Sequence, residues 1–398
     1  MATIFEKTSI GEMILKNRII KSATHEGLGD DYGHPRKELS ALYKKIAQNN
    51  VGAIITGLVS VQANGRFLKN LRMFDSDEYI EDYKALNLEL KQYDTPIILQ
   101  IAHGGGMCSP KITGEAALAP SAIKLRSFPT KPKELSDSEI QNIINNFVKA
   151  ILRSKQAGFA GVQLHAAHGY LLAQFLSPHY NKRKDRWGGT TENRFRIVGM
   201  IIKEAKKKVG GYPILVKMSA LEGTKDGITI NESINIAKLL EGAGCDAIEV
   251  SCGGDDGFNS VRVVKTPLKA VFELVPFYKK MSPMKKKLLS IMAPLIFKKY
   301  SLIQNYNVAT AIQIKNQIGI PVITVGGIRK LEDIEDIITN KKIDYVSMAR
   351  PFIIEPDIIT KFIKGVQNES RCINCGYCLL GITAKPIRCY YGKLPKSS

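Results

Sequence analysis

The chain has 398 residues, enough for one large α/β barrel or for two or three smaller domains. Its 44% hydrophobic and 24% charged residues are those of an ordinary soluble globular protein, and no apolar run approaches the roughly 20 residues of a membrane span. The net charge of +20 comes mostly from lysine and reads as a solvated basic surface or as attraction for an anionic ligand. No zinc-finger, RNP or basic-zipper pattern is present, which argues against nucleic acid. The first residues, "MATIFEKTSIGEMILKNRII", lack a basic segment followed by an apolar one, so no signal peptide and a cytoplasmic location are expected.

Eight short β-branched runs recur along the chain, at 18–23, 51–57, 96–102, 161–167, 213–219, 247–253, 321–327 and 345–351. Most are continuously apolar rather than alternating, the pattern of parallel strands covered on both faces. Amphipathic segments separate them. In "SDSEIQNIINNFVKAILRSKQAG", Ser136 and Glu139 have capping-box spacing and Gly158 stops the helix. "TENRFRIVGMIIKEAKKKVGG" and "NESINIAKLLEGAG" read the same way. Eight strands alternating with helices predict a (β/α)8 TIM barrel. A doubly wound sheet is the alternative, but no G-x-G-x-x-G follows any strand.

In such a barrel the chemistry sits at the C-terminal ends of the strands. Those ends carry Thr24 and His25, Gln100 and His103, then His165, His168 and Tyr170 in "HAAHGY", then Lys217, Ser251 to Gly254, Gly326 and Gly327, and Arg350. His165 and His168 could simply cap a loop, yet their place beside Tyr170 at a strand end favours a substrate-binding pair next to a proton donor. Zinc needs at least three protein ligands, and "HEXXH" spacing is absent. "VGGI" after the seventh run and "ARP" after the eighth lie where this fold usually binds phosphate.

These motifs resemble the old yellow enzyme (NADH:flavin oxidoreductase) family of flavin-dependent reductases. The longest match is "HAAHGYLLAQFLSPHYNKRKDRWGGTTENRFR", 165–196, and "LKNRIIKSAT", "ILQIAHGG", "VKMSA", "VGGI" and "VSMARPFIIEPD" follow the family's order. The resemblance covers residues 1 to about 365. It implies FMN in the barrel mouth, reduced by NAD(P)H or another donor, and hydride transfer to an activated C=C bond of an unsaturated carbonyl, acid or thioester. His165 and His168 would hydrogen-bond the electron-withdrawing oxygen of the substrate, and Tyr170 would protonate the α-carbon. Ser22, Ala23, Thr24 and His25 would line the flavin. Gln100 would meet its pyrimidine edge, and Lys217 would sit near N1. Gly326, Gly327, Ala349 and Arg350 would hold the phosphate. Two departures narrow this: Gly106 stands where family members often have arginine, and "SCGGDDGF" lacks the histidine that dienoyl-CoA reductases use there.

The C-terminal cysteines Cys372, Cys375, Cys378 and Cys389 resemble the iron–sulfur segment of the subgroup containing 2,4-dienoyl-CoA reductase and trimethylamine dehydrogenase. By spacing, three successive C-x2 steps and a distant fourth thiolate suit a [4Fe–4S] cluster; structural zinc and free thiols are the alternatives. The resemblance implies a barrel over 1–365 and a cysteine-rich tail over 366–398, and no counterpart after Ser398 to the FAD- and NADPH-binding half of the long relatives. A flavin and iron–sulfur electron-transfer subunit fed by a separate donor protein is the second functional reading. Residues 258–308 read as an insertion with seven lysines between 279 and 299 and no acidic residue from 274 to 331. It is expected to be a helical lid with a solvated basic face, ahead of an entrance for anionic substrates or a membrane-surface helix.

Overall fold

The computed structural model describes residues 3–125, 128, 131–254, 264, 267–296, 302–382 and 385–392. Every one of the eight apolar runs becomes a strand: β1 (Ile19–Lys21), β2 (Ala53–Ile55), β3 (Ile97–Ala102), β4 (Gly161–Ala166), β5 (Ile214–Ser219), β6 (Ala247–Ser251), β7 (Val322–Val325) and β8 (Tyr345–Met348). Each pairs in parallel with its successor, and β8 pairs with β1, Val346 opposite Ile19, which closes a TIM barrel. The doubly wound alternative is excluded by that closure.

Helices wrap the outside. The helix Asp137–Gln156 begins with the expected capping box, in which Ser136 and Glu139 satisfy each other's backbone donors. Ala157 caps it and Gly158 follows at φ +80°, in the left-handed region where glycine is unstrained. The helix Ile230–Ala243 repeats the device with Thr229 and Glu232.

Side chains alternate along each strand, so every second residue enters the barrel. At the N-terminal end these are Ile20, Ile98, Leu215, Ala247, Ile323 and Tyr345, and the hairpin of Thr8–Ile10 and Met13–Leu15 packs Ile10, Met13 and Leu15 against them. Two residues further along the strands, the inward positions hold Ser22, Gln100, Gln163, Lys217, Glu249 and Ser347, all buried. The interior therefore changes from apolar at its plugged end to polar at its open end.

Among the described residues the insertion contributes three helices, Leu268–Leu274, Pro276–Lys279 and Pro283–Ile296. The first packs Ala270, Val271 and Leu274 against Leu380 of the helix Tyr377–Gly381 in the cysteine tail. The expected start of the insertion lies outside the described residues.

Candidate active site

A cavity of about 450 Å³ opens at the C-terminal ends of the strands. Its lining includes Ser22, Ala23, Thr24, His25, Gln100, His165, His168, Tyr170, Lys217, Gly326, Gly327, Ala349 and Arg350, so it brings together every barrel residue singled out in the sequence for catalysis or cofactor binding. His103 is a different case. It accepts a bond from the Gly105 amide (3.0 Å) on Nδ1 and contacts Asn64 Oδ1 (3.0 Å) through Nε2, so both ring nitrogens are occupied in holding a loop.

The floor is a hydrogen-bonded network centred on Glu249. Its Oε1 accepts from Ser22 Oγ (2.6 Å) and Ser347 Oγ (2.6 Å), and its Oε2 accepts from Gln163 Nε2 (2.8 Å). Lys217 Nζ lies 3.2 Å from Oε2 and donates to Ser22 Oγ at 2.9 Å. Gln100 Nε2 donates to Gln163 Oε1 at 2.7 Å. Burial alone would raise the Glu249 pKa, but Lys217 and the three donors outweigh it and hold the carboxyl below its ordinary value. Adjacent strands place the charges side by side, since Lys217 registers with Glu249 and Gln163 with Gln100.

His165, His168 and Tyr170 form one wall. The His165 ring sits 5.2 Å from His168, edge to face, and 4.5 Å from Tyr170. His168 adopts φ +59°, followed by Gly169 at +75°, so the chain reverses sharply after β4. The Ser219 hydroxyl accepts from the His168 amide at 3.0 Å, and Ser251 Oγ lies 2.8 Å from His168 Nε2. His165 Nδ1 is buried with no hydrogen-bond partner among the described residues. Burial, then His168 and Lys217, push the His165 pKa well below the ordinary value; burial and Lys217 bring His168 down to about 3. Both imidazoles are therefore neutral at physiological pH. Burial, with Cys108 nearby, raises the Tyr170 pKa, so its hydroxyl keeps its proton.

At the far end, Gly326 (φ +135°) and Gly327 (φ +74°) let the chain pack closely on the segment 303–307 while also lining the cavity. A Cβ on Gly327 would stand 2.6 Å from the Ile303 carbonyl oxygen. Arg350 Nη1 and Arg329 Nη2 are both buried with no hydrogen-bond partner among the described residues. Two unpaired guanidinium nitrogens lining one cavity can donate to an anion.

Beyond Arg350 lies a hollow of about 60 Å³ lined by Cys372, Cys375, Cys378 and Cys389, with Cys378 also lining the main cavity. All four are free thiols. They are not gathered tightly enough to form a ready-made metal site among the described residues.

Sequence reasoning missed Glu249 and Gln163, although a charge in "AIEVSCG" is the same signal that marked Lys217 in "ILVKMSA". It also missed Arg329, one residue beyond "VGGI", and the cavity-lining Asn374 and Gly376 of the tail. The buried set of Lys21, Glu26 and Arg72 was missed as well. Arg72 donates to Glu26 at 2.9 Å and Lys21 Nζ lies 3.9 Å from it, bracing the loop that carries Thr24 and His25. Burial is the main reason that Lys21 is brought down to about 8.

The sequence model of the NADH:flavin oxidoreductase / NADH oxidase family matches residues 3–254 and 260–369. The chain belongs to this family. It is 34% identical over 382 residues to an NADH oxidase of Thermoanaerobacter brockii, covering 95% of this chain and 53% of that protein. It is 31% identical over 357 residues to an NADPH dehydrogenase of Clostridium acetobutylicum, covering 89% of this chain and 92% of that one. The fold superposes on a 2-naphthoyl-CoA reductase in complex with 2-naphthoyl-CoA, with a TM-score of 0.79 at 22% identity, over 95% of this chain and 54% of that one. The chain thus spans about half the length of the T. brockii relative.

Proposed function

We propose that this protein is an FMN-dependent ene-reductase, taking electrons from NAD(P)H and reducing the activated C=C bond of an unsaturated carbonyl, acid or thioester. The observation that carries the reading is the single cavity with the His165, His168 and Tyr170 wall at one end and the unpaired Arg350 and Arg329 nitrogens at the other. The residues fit the cofactor. The two arginines with Gly326, Gly327 and Ala349 would hold its phosphate, while Lys217, Gln100 and the 22–25 segment would hold its ring. Bound there, FMN supplies hydride accepted from the nicotinamide.

The chain's own residues supply the rest. Neutral imidazoles at His165 and His168 donate hydrogen bonds to the substrate oxygen without surrendering a proton, and so polarise the alkene and stabilise the enolate that develops. The Tyr170 hydroxyl, kept protonated by burial, then gives its proton to the α-carbon. Lys217 places a positive charge at the cavity floor, held in position by Glu249. The barrel is taken as 1–365 and the tail as 366–398, and the free thiols suit the reducing cytoplasm.

The test is purification, denaturation and identification of the released flavin, followed by turnover with NADH or NADPH and 2-cyclohexen-1-one. FMN release and enone-dependent oxidation are expected; stoichiometric FAD, or no flavin after reconstitution, overturns the reading.

The shared position of Cys378 favours a second element. Cys372, Cys375, Cys378 and Cys389 would hold a [4Fe–4S] cluster next to the flavin cavity, through which a separate donor protein could feed electrons. Ligation would draw the thiols together, as metal binding commonly couples to local folding. Anaerobic protein should carry about four irons per chain and a broad visible absorption near that of cubane clusters. Stoichiometric zinc, or neither metal, would remove this element and leave the ene-reductase reading intact.

A further inference from the structure

We propose that the insertion helix Pro283–Ile296 docks this protein onto an anionic lipid surface, lying in the plane of the membrane. The expectation of a merely solvated basic face does not account for its outer side. Met284, Leu288, Ile291, Met292 and Leu295 are between 44% and 88% exposed. At 3.6 residues per turn these five fall within an arc of about 100°, a single apolar stripe along the helix. The opposite side turns toward the preceding helices of the insertion. Ala293 is buried and Leu289 half-buried, and Lys286 donates to the Lys279 carbonyl at 3.0 Å with its ammonium 6.0 Å from the Phe272 ring centre.

The occupant is identified by charge. Lys285 and Lys287, both exposed, border the two edges of the stripe, where their stems can lie along an apolar surface and their ammonium groups reach phosphate. No acidic residue occurs from 274 to 331, so nothing on this segment repels an anionic surface. No helix among the described residues is long and apolar enough to cross a membrane, and a short stripe with basic edges suits the interface instead. Through Ala270, Val271 and Leu274 the insertion packs on Leu380, two residues from Cys378, so docking would hold the cysteine end of the cavity close to the lipid.

The test is co-sedimentation of the flavin-loaded protein with vesicles of phosphatidylcholine alone or mixed with phosphatidylglycerol. Binding to the mixed vesicles, weakened by salt, is expected. Lys285→Gln with Lys287→Gln should lower the partition coefficient about tenfold or more. Leu288→Ser with Ile291→Ser and Leu295→Ser should abolish binding while circular dichroism and enone turnover in solution stay unchanged. Sedimentation of the wild type in every buffer, sorted by neither lysines nor leucines, overturns the proposal. So does indifference to vesicles, including the case where the triple serine variant turns a dimer into a monomer because a second copy covers the stripe.

Discussion

The barrel mouth and the 267–296 insertion place their polar and apolar groups in opposite ways. At the mouth, charge is turned inward: Lys217 and Glu249 sit on neighbouring strands, buried and answered by Ser22, Ser347 and Gln163. On the insertion, apolar side chains are turned outward and the lysines edge them. Water cannot reach the first arrangement to forgive an error, whereas the second leaves its groups free to meet something else. Substitutions should therefore act strongly and locally at the mouth and weakly on the insertion's own stability.

The largest effect is expected at Glu249. Glu249→Gln keeps the shape and most hydrogen-bonding capacity but leaves the Lys217 charge buried without its counterion. Unfolding of the flavin-free protein in urea should show a loss of about 3–5 kcal/mol, the range for breaking a buried pair from one side. Adding Lys217→Met should recover much of that loss. A loss below 1 kcal/mol in the single variant would mean that the pair is solvated, and the contrast with the insertion would fade.

Next comes Tyr170→Phe. The variant keeps the ring against Phe67 (5.1 Å) and His165 (4.5 Å) but has no proton to give. Alkene reduction should fall roughly 10²-fold or more in stopped flow, while flavin reduction by NAD(P)H stays nearly intact. An unchanged oxidative half-reaction would assign the proton to another group.

Acid should weaken the protein through its buried histidines. His103 is held down to about 3 by burial, and His165 lies well below its ordinary value of 6.5. Between pH 6.5 and 3 the unfolded chain binds protons that these native imidazoles refuse, so stability falls as pH falls. For His103 the limiting slope is about 1.4 kcal/mol per pH unit, or roughly 2 kcal/mol between pH 6.5 and 5, and His165 acts in the same direction. Urea midpoints in His103→Asn should fall less steeply over that window. A wild-type curve flat from pH 6.5 to 5 would show that these rings titrate normally.

How much of this was legible in the sequence follows the same divide. Parallel strands buried on both faces must be apolar throughout, so all eight could be read directly, and polar residues at their ends announced the cavity. Glu249 carries the same signal as Lys217, a lone charge in an apolar strand; what the sequence does not encode is its partner, because only the pairing of β5 with β6 sets it beside Lys217. Arg329 was hidden by a shift of one residue beyond a motif already noticed. Asn374 and Gly376 reach the cavity across a long separation in sequence, which no local pattern encodes. The insertion's lysines were counted correctly, but a count does not say which side of a helix faces out. Only the packing of Lys286 and Ala293 against the protein settles that.

The smallest expected effect tests the insertion directly. Leu288 is 57% and Leu295 88% exposed, so each buries little apolar surface within the chain. Replacing either with Ser should shift stability by no more than about 0.5 kcal/mol, the scale of surface substitutions that touch nothing. Serine costs a few tenths of a kcal/mol through its poorer helix propensity, and the little apolar surface each leucine buries adds little to that. The measurement is the urea midpoint of each variant beside wild type in lipid-free buffer at low protein concentration. A loss of 2 kcal/mol or more at either position would mean that the stripe is already covered within the folded protein. The outward-facing arrangement would then be an internal contact, and the difference between mouth and insertion would be one of degree.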